Sequence, residues 1–407
     1  MNSKRLLTNS CWMVFQQLFK YALAFFIGVY VIRYLGPQRF GILTFILTTI
    51  TIFNPLIFLG TSSILPREIA DHGERNYLTS FVKLSYLITI PLVFLVSIVV
   101  SLSAYTHSIY LIIYSLSLLF VPLQIISYYN NAILKSKRTT KAYFCASIIS
   151  VSVKLAILHF DLGLWALLAT YLLETILFGS FLLLGSNFNL IEIVCARLNE
   201  IKYLKKSIVY NVVITLSFIL YTRVDQLMIK ALLGDFDLGV YGSVTKIYDA
   251  YVMIGFTLTL SIITYLTKKK KIESVIRKIY KYLYILFIPT SIFLYFLSDF
   301  IISTLFGDVY SGGIFSLKIL FISAFFAVMT SLNNRLLIIN KLEKTLFRRV
   351  IISLFINVVL NFVLIPQFGI AGAAFSTLIV TIFSAIIYDL FNDESLFLNN
   401  YKLLKND

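Results

Sequence analysis

The chain has 407 residues, of which 59% are hydrophobic and only 13% charged, and its mean hydropathy is +0.89; a soluble domain carries about 25% charged residues, so this composition excludes one. The formal net charge of +16 does not point to nucleic acid as a partner, because the Lys and Arg concentrate in short connections between apolar runs, where membrane topology rules put them. Cys11, Cys145 and Cys195 are too few and too scattered for a disulfide framework or a metal site, and no cofactor is expected.

In chain order, the apolar runs predict an all-α polytopic membrane protein of about twelve transmembrane helices. Each run is roughly 18 to 25 residues, long enough to cross a hydrocarbon core of about 30 Å as helix, and the short alternating segments of a barrel are absent. Lys4 and Arg5 precede the first run, which is longer than the roughly 7 to 15 residues of a signal-peptide core and has no A-x-A cleavage site, so it reads as an uncleaved span. The predicted spans are 10–34, 40–63, 80–103, 109–130, 142–160, 164–185, 207–232, 240–266, 282–305, 313–338, 347–365 and 370–391. The longest connection, 186–206, has the apolar and basic spacing of a helix lying on the membrane surface. No connection has the length of an extramembrane catalytic domain.

The connections alternate in charge. Lys135, Lys137, Arg138 and Lys141, then Arg197, Lys202, Lys205 and Lys206, and later Arg335, Lys341, Lys344, Arg348 and Arg349 fall on one side. The run Lys268 to Lys271 falls there too; its simplest reading is a topology determinant, its sharper one an anionic-lipid contact. The opposite connections hold or adjoin only Arg33, Arg39, Lys230 and Lys318, and carry Asp161, Asp235, Asp237, Asp299 and Asp308. This bias predicts cytoplasmic N- and C-termini.

An offset of about 200 residues brings three signals into register. YLGPQRFGIL after the first span and LLGDFDLGVY after the seventh share L-G-x4-G, aligning Gly36 and Gly41 with Gly234 and Gly239. NNAILKSK from Asn130 recurs as NNRLLIIN from Asn333, and the turn around Gly163 recurs around Gly369. The expected architecture is two pseudo-symmetric six-helix lobes, 1–200 and 201–407, related by an axis along the membrane normal, with the binding site in the cleft between them.

Charges within spans mark the candidate site, because a charge at bilayer depth costs at least a few kcal/mol and normally faces protein or a water-filled cavity. Lys20, Lys154, Arg223 and Lys246 are the in-span cations; Glu174, Asp225 and Asp249 are the carboxylates. Counted from the outer turns, Arg223, Asp225, Lys246 and Asp249 lie roughly 10 to 17 Å deep, in one layer. Asn211, Thr215, Thr222, Asp225 and Gln226 form a polar stripe on the seventh span, assigned to water with Arg223 at its edge or in the packing. Lys154 with Glu174, and Lys246 with Asp225 or Asp249, are candidate neutralising pairs. Lys20 and Arg223 lack an obvious carboxylate at helical spacing on their own spans apart from Asp225. Unpaired cations lining a cavity would attract an anion, most simply a phosphate; the carboxylates would instead carry H+ or Na+ for coupling. His72, His107 and His159 sit near loops and read as surface residues.

There is no Walker A pattern, no H-E-x-x-H and no G-x-S-x-G. RYLGPQRFGIL, PREIA and RVDQLMIKALLGDFDLGVYGSVTKIYD resemble the polysaccharide transporters of the multidrug/oligosaccharidyl-lipid/polysaccharide exporter superfamily, and within it the O-antigen flippases. The resemblance implies a V-shaped pair of lobes working by alternating access in a bacterial inner membrane. It implies flipping of an undecaprenyl diphosphate-linked oligosaccharide among membrane lipids, alongside a polysaccharide polymerase and chain-length partners. By position it carries over Lys20, Arg223 and Lys246 as cavity residues. The chain lacks the two additional spans typical of lipid II flippases. The alternatives are a flippase for a capsule or teichuronic-type repeat and a cation-coupled multidrug exporter, which would favour an acidic or apolar cavity. An O-antigen polymerase or ligase would usually carry a large periplasmic loop.

Overall fold

A computed structural model of the chain describes residues 3–72, 76–102, 107–186, 188–266, 272–340 and 342–388. The basic run 268–271, Arg75 and Lys341 lie outside the described residues, as does the tail beyond 388. Among those described, every regular element is helical. Ten helical stretches are long and apolar enough to cross a membrane. The first, Thr8–Ile69, runs for 62 residues and takes in the first two predicted spans. The eighth predicted span, which carries Lys246 and Asp249, is helical over Asp235–Leu266 but is not one of the ten.

In chain order the helices are α1 (Ser3–Thr51), α2 (Asn54–Phe58), α3 (Thr61–His72), α4 (Asn76–Leu102), α5 (Ser108–Ser115), α6 (Ile125–Ala132), α7 (Ser136–His159) and α8 (Gly163–Leu184). After them come α9 (Leu190–Cys195), α10 (Lys205–Leu232), α11 (Asp235–Leu266), α12 (Ile272–Leu305), α13 (Ile314–Ile339), α14 (Glu343–Phe368) and α15 (Ile370–Ile382). Helix α1 is two helical segments joined across a kink in the first predicted connection, at Gly36, whose non-helical φ of 67° and ψ of 172° are open to glycine and costly for other residues; Pro37 follows and disfavours helix at the residue before it. The second predicted span breaks at Leu59 and Gly60, both left-handed. A Cβ on Gly60 would lie 2.4 Å from Asn211 Cβ, so this break lets α10 approach.

Two compact units emerge, one of residues 1–20 and 46–219, the other of 21–45 and 220–407. In the first, Leu65, Leu78, Phe81, Ile125 and Ile126 form a core with Leu182. The connection 186–206 joins that core instead of lying free as one surface helix. Phe188, Ile193, Ile201 and Leu204 are buried, and the segment is split into α9 and a 3-10 stretch, Leu198–Leu204. Lys83 Nζ holds the break by donating to the carbonyls of Val194 at 2.7 Å and Ala196 at 2.9 Å, and Ser80 Oγ donates to Arg197 O at 2.9 Å. These bonds satisfy backbone carbonyls that a continuous helix would have satisfied itself.

The second unit packs α11, α12 and α15 around α13, with Val252, Phe287, Phe325, Val328 and Leu332 at the centre. Here the two L-G-x4-G segments meet. A Cβ on Gly41 would lie 1.8 Å from Asp235 O, a Cβ on Gly239 would lie 1.8 Å from Pro37 O, and each glycine's Cβ position is 3.0 Å from the other's nitrogen. The reciprocity is that of a local two-fold axis, and the matched glycines share backbone conformations: Gly36 and Gly234 have φ of 67° and 103°, and Gly163 and Gly369 have 83° and 59°. Outward-facing Phe26, Leu102, Leu184, Phe296 and Phe355 are 64–82% exposed, as a surface bathed in hydrocarbon requires.

Candidate functional site

The in-span charges of the second unit sit on the hairpin of α10 and α11. Arg223 Nη2 donates to Asp249 Oδ2 at 3.0 Å, each side chain about one-third exposed (33% and 34%). Arg223 thus has a partner on the neighbouring helix, which spacing along its own helix could not reveal. Asp225 is only 6% exposed; its Oδ2 accepts from Tyr241 Oη at 2.6 Å and its Oδ1 from the Gln226 backbone N–H at 2.8 Å. Gln226 is buried beside it and donates to Thr245 Oγ1 at 3.3 Å.

The polar stripe assigned to water on the seventh span therefore divides. Asn211 and Thr215 stay accessible, whereas Asp225 and Gln226 turn into the α10–α11 contact. The physical reason is that α11 presents Tyr241 and Thr245 at the right height, and a buried carboxylate needs donors. Lys246, on α11, is exposed.

In the first unit, α7 and α8 pack together and bring Lys154 Nζ to 2.8 Å from Glu174 Oε2. Ser150 Oγ donates to the same oxygen at 3.2 Å, and the Lys154 ammonium lies 4.1 Å from the centre of the Tyr171 ring. Lys154 is 5% exposed, so ion pair, hydroxyl and ring enclose it. Ser150 and Lys154 are four apart, Tyr171 and Glu174 three apart, so each couple shares a helix face; that spacing is the signal by which Ser150 and Tyr171 are legible in the sequence. Tyr241 has no such signal, since only the hairpin's geometry places it against Asp225.

Lys20 is exposed on α1, with no ion pair among the described residues. One turn earlier, Gln16 Oε1 accepts from Thr140 Oγ1 at 3.5 Å. Of the cations on the sparsely basic connections, Lys230 pairs with Asp235 at 2.5 Å and Lys318 with Asp299 at 2.6 Å, and Arg33 Nε donates to Leu305 O at 2.6 Å. Arg349, read as part of a basic connection, is instead fully buried. Helix α14 begins at Glu343, so Arg349 is well inside it; Nη1 donates to Asn334 Oδ1 at 3.2 Å and the guanidinium lies 5.2 Å from the Tyr388 ring centre.

Residues 6–260 match the family described as polysaccharide biosynthesis protein. No curated protein sequence matches the chain. Among solved structures, the chain is similar to a lipid II flippase, MurJ, in an inward closed conformation, with a TM-score of 0.79, 18% identity, and coverage of 97% of this chain and 89% of that one. It is also similar to an inward-facing multidrug resistance MATE family transporter of the MOP superfamily, with a TM-score of 0.64, 16% identity and 96% of each chain covered. A third similar structure, MATE in the bent conformation, gives a TM-score of 0.61 at 13% identity over 99% of this chain and 96% of that one. At these identities the likeness is one of fold.

Proposed function

The chain belongs to the polysaccharide biosynthesis protein family, and on that premise we propose that it is a flippase that moves an undecaprenyl diphosphate-linked oligosaccharide, an O-antigen repeat unit, from the cytoplasmic to the periplasmic leaflet by alternating access. The family match carries the reading: a multi-pass membrane protein of surface-polysaccharide synthesis with a transporter fold has a lipid-linked sugar as its natural cargo. The in-span charge balance supports a diphosphate, four cations against Glu174, Asp225 and Asp249. Lys20 and Lys246, both exposed, are the proposed direct contacts, as point charges that suit a phosphate. Arg223 joins them at one end of its pair with Asp249, and Lys154 acts from within its enclosure with Glu174. Asp225, Asp249 and Glu174 are the groups proposed to exchange H+ or Na+ during the cycle. The protein sits in the inner membrane with both termini cytoplasmic and hands its product to a polymerase with chain-length partners.

Expression in a strain lacking its own O-unit flippase tests this. Long-chain surface polysaccharide is expected to return, and Lys20→Ala and Lys246→Ala are each expected to lower it at unchanged protein level. Restored resistance to cationic drugs without restored polysaccharide would assign the chain to multidrug export; restoration only in a capsule or teichuronic-type system would change the cargo. Full polysaccharide in both lysine variants would remove them from the binding site.

A further inference from the structure

The first unit carries a groove of about 490 Å3 that none of the in-span charges touches. Its walls are apolar and come from α2, α4 and α10, with Leu84, Ile88, Ile208 and Val212 among them; Lys202 and Lys205 stand at one end, beside the 3-10 stretch Leu198–Leu204. Lys205 is the first residue of α10, whose apolar stretch crosses the membrane, so both amines lie at the level where lipid headgroups sit. From Lys205 to Val213, the deepest α10 residue lining the groove, is eight residues, roughly 12 Å of helix. That is just under half of a hydrocarbon core of about 30 Å, the depth of one leaflet.

Two neighbouring charged groups are already engaged. Lys83 is committed to the carbonyls of Val194 and Ala196, and the Glu68 carboxylate is taken by the Tyr203 hydroxyl. Lys202 and Lys205 are exposed, and neither has an ion-pair partner among the described residues. Two lysines over an apolar slot one leaflet deep complement an amphiphile with a single anionic head and a hydrocarbon chain; basic pockets beside membrane helices bind anionic lipid headgroups by this chemistry.

We propose that this groove binds one anionic glycerophospholipid, its phosphate on Lys202 and Lys205 and one acyl chain between α4 and α10. The site is separate from the proposed cargo contacts, so its test is independent of flipping. It ties α4, α10 and the connection 186–206 to the lipid composition of one leaflet.

The measurement is native mass spectrometry of the full chain, purified in mild detergent and equilibrated with equal amounts of phosphatidylglycerol and phosphatidylethanolamine. The wild type is expected to retain phosphatidylglycerol preferentially. Lys202→Gln/Lys205→Gln is expected to reduce that preference about ten- to thirtyfold, at about 1 kcal/mol per lysine. Val212→Trp, which fills the slot while keeping both charges, is expected to lower retention of both lipids. Unchanged preference in the double lysine variant would overturn the proposal, as would unchanged retention in Val212→Trp. So would displacement of phosphatidylglycerol by an equal amount of undecaprenyl phosphate, which would make the groove a prenyl site.

Discussion

Arg223 and Lys154 are both ion-paired, in environments that predict different mutational behaviour. Lys154 is enclosed with Glu174, and removing one partner of a buried pair typically costs about 3–5 kcal/mol, whereas removing both can be nearly neutral. Lys154→Ala is therefore expected to lower protein yield and thermal stability in detergent, and Lys154→Met/Glu174→Gln to regain most of both, as read by fluorescence-detected size-exclusion after heating. The Arg223–Asp249 pair is a third exposed on each side, so its loss disturbs folding less. Arg223→Ala/Asp249→Ala is expected to keep protein level and still lose surface polysaccharide if the guanidinium meets the diphosphate. Retained polysaccharide in that double variant would make the pair purely structural. The identities of these charged residues were legible in the sequence because charge in an apolar run is conspicuous. Their partners were legible only where matching depth on adjacent spans narrowed the choice, as for Lys154 with Glu174 on either side of the Gly163 turn.

Among the elements, the paired L-G-x4-G segments are the most constrained. Sequence register aligned Gly41 with Gly239, and in the fold the two pack against each other, each Cβ position on the other segment's carbonyl oxygen. No rotamer relieves a methyl group at 1.8 Å from backbone oxygen, so the helices must separate. Gly41→Ala and Gly239→Ala are each expected to destabilise by about 1–3 kcal/mol or more, measured as a fall in Tm. Gly28→Ala, in the interior of α1 where a Cβ meets nothing within 4 Å, is expected to hold Tm or raise it slightly, because alanine suits a helix better than glycine. The connection 186–206 shows the opposite relation between pattern and structure. Its amphipathic spacing suits either a bilayer surface or a protein surface, and Lys83 and Ser80, more than a hundred residues away in sequence, decide for the protein.

At the scale of the whole molecule, orientation follows from the distribution of Lys and Arg, a bias read during insertion rather than in the folded contacts. With Cys11, Cys145 and Cys195 replaced by Ser, Arg138→Cys is expected to react with a membrane-impermeant maleimide only after the cells are opened, and Asp308→Cys in intact cells. The reverse pattern would invert the topology and with it the proposed direction of transport. Both positions are exposed, so burial does not confuse the result.

Hydropathy and the recurring turn motif were enough to read a helical membrane protein with matched halves, and to mark the charges that interrupt its apolar runs. Those properties are local or periodic: hydropathy over about 20 residues, a recurring turn glycine, a charge in an apolar run. Tertiary structure alone decided that residues 21–45 join the compact unit of 220–407, that Asp225 faces Tyr241, that Arg223 reaches Asp249, and that Arg349 is buried. Each of these depends on which helix faces are brought together, and a buried polar group takes whichever partner the packing presents, at any distance along the chain.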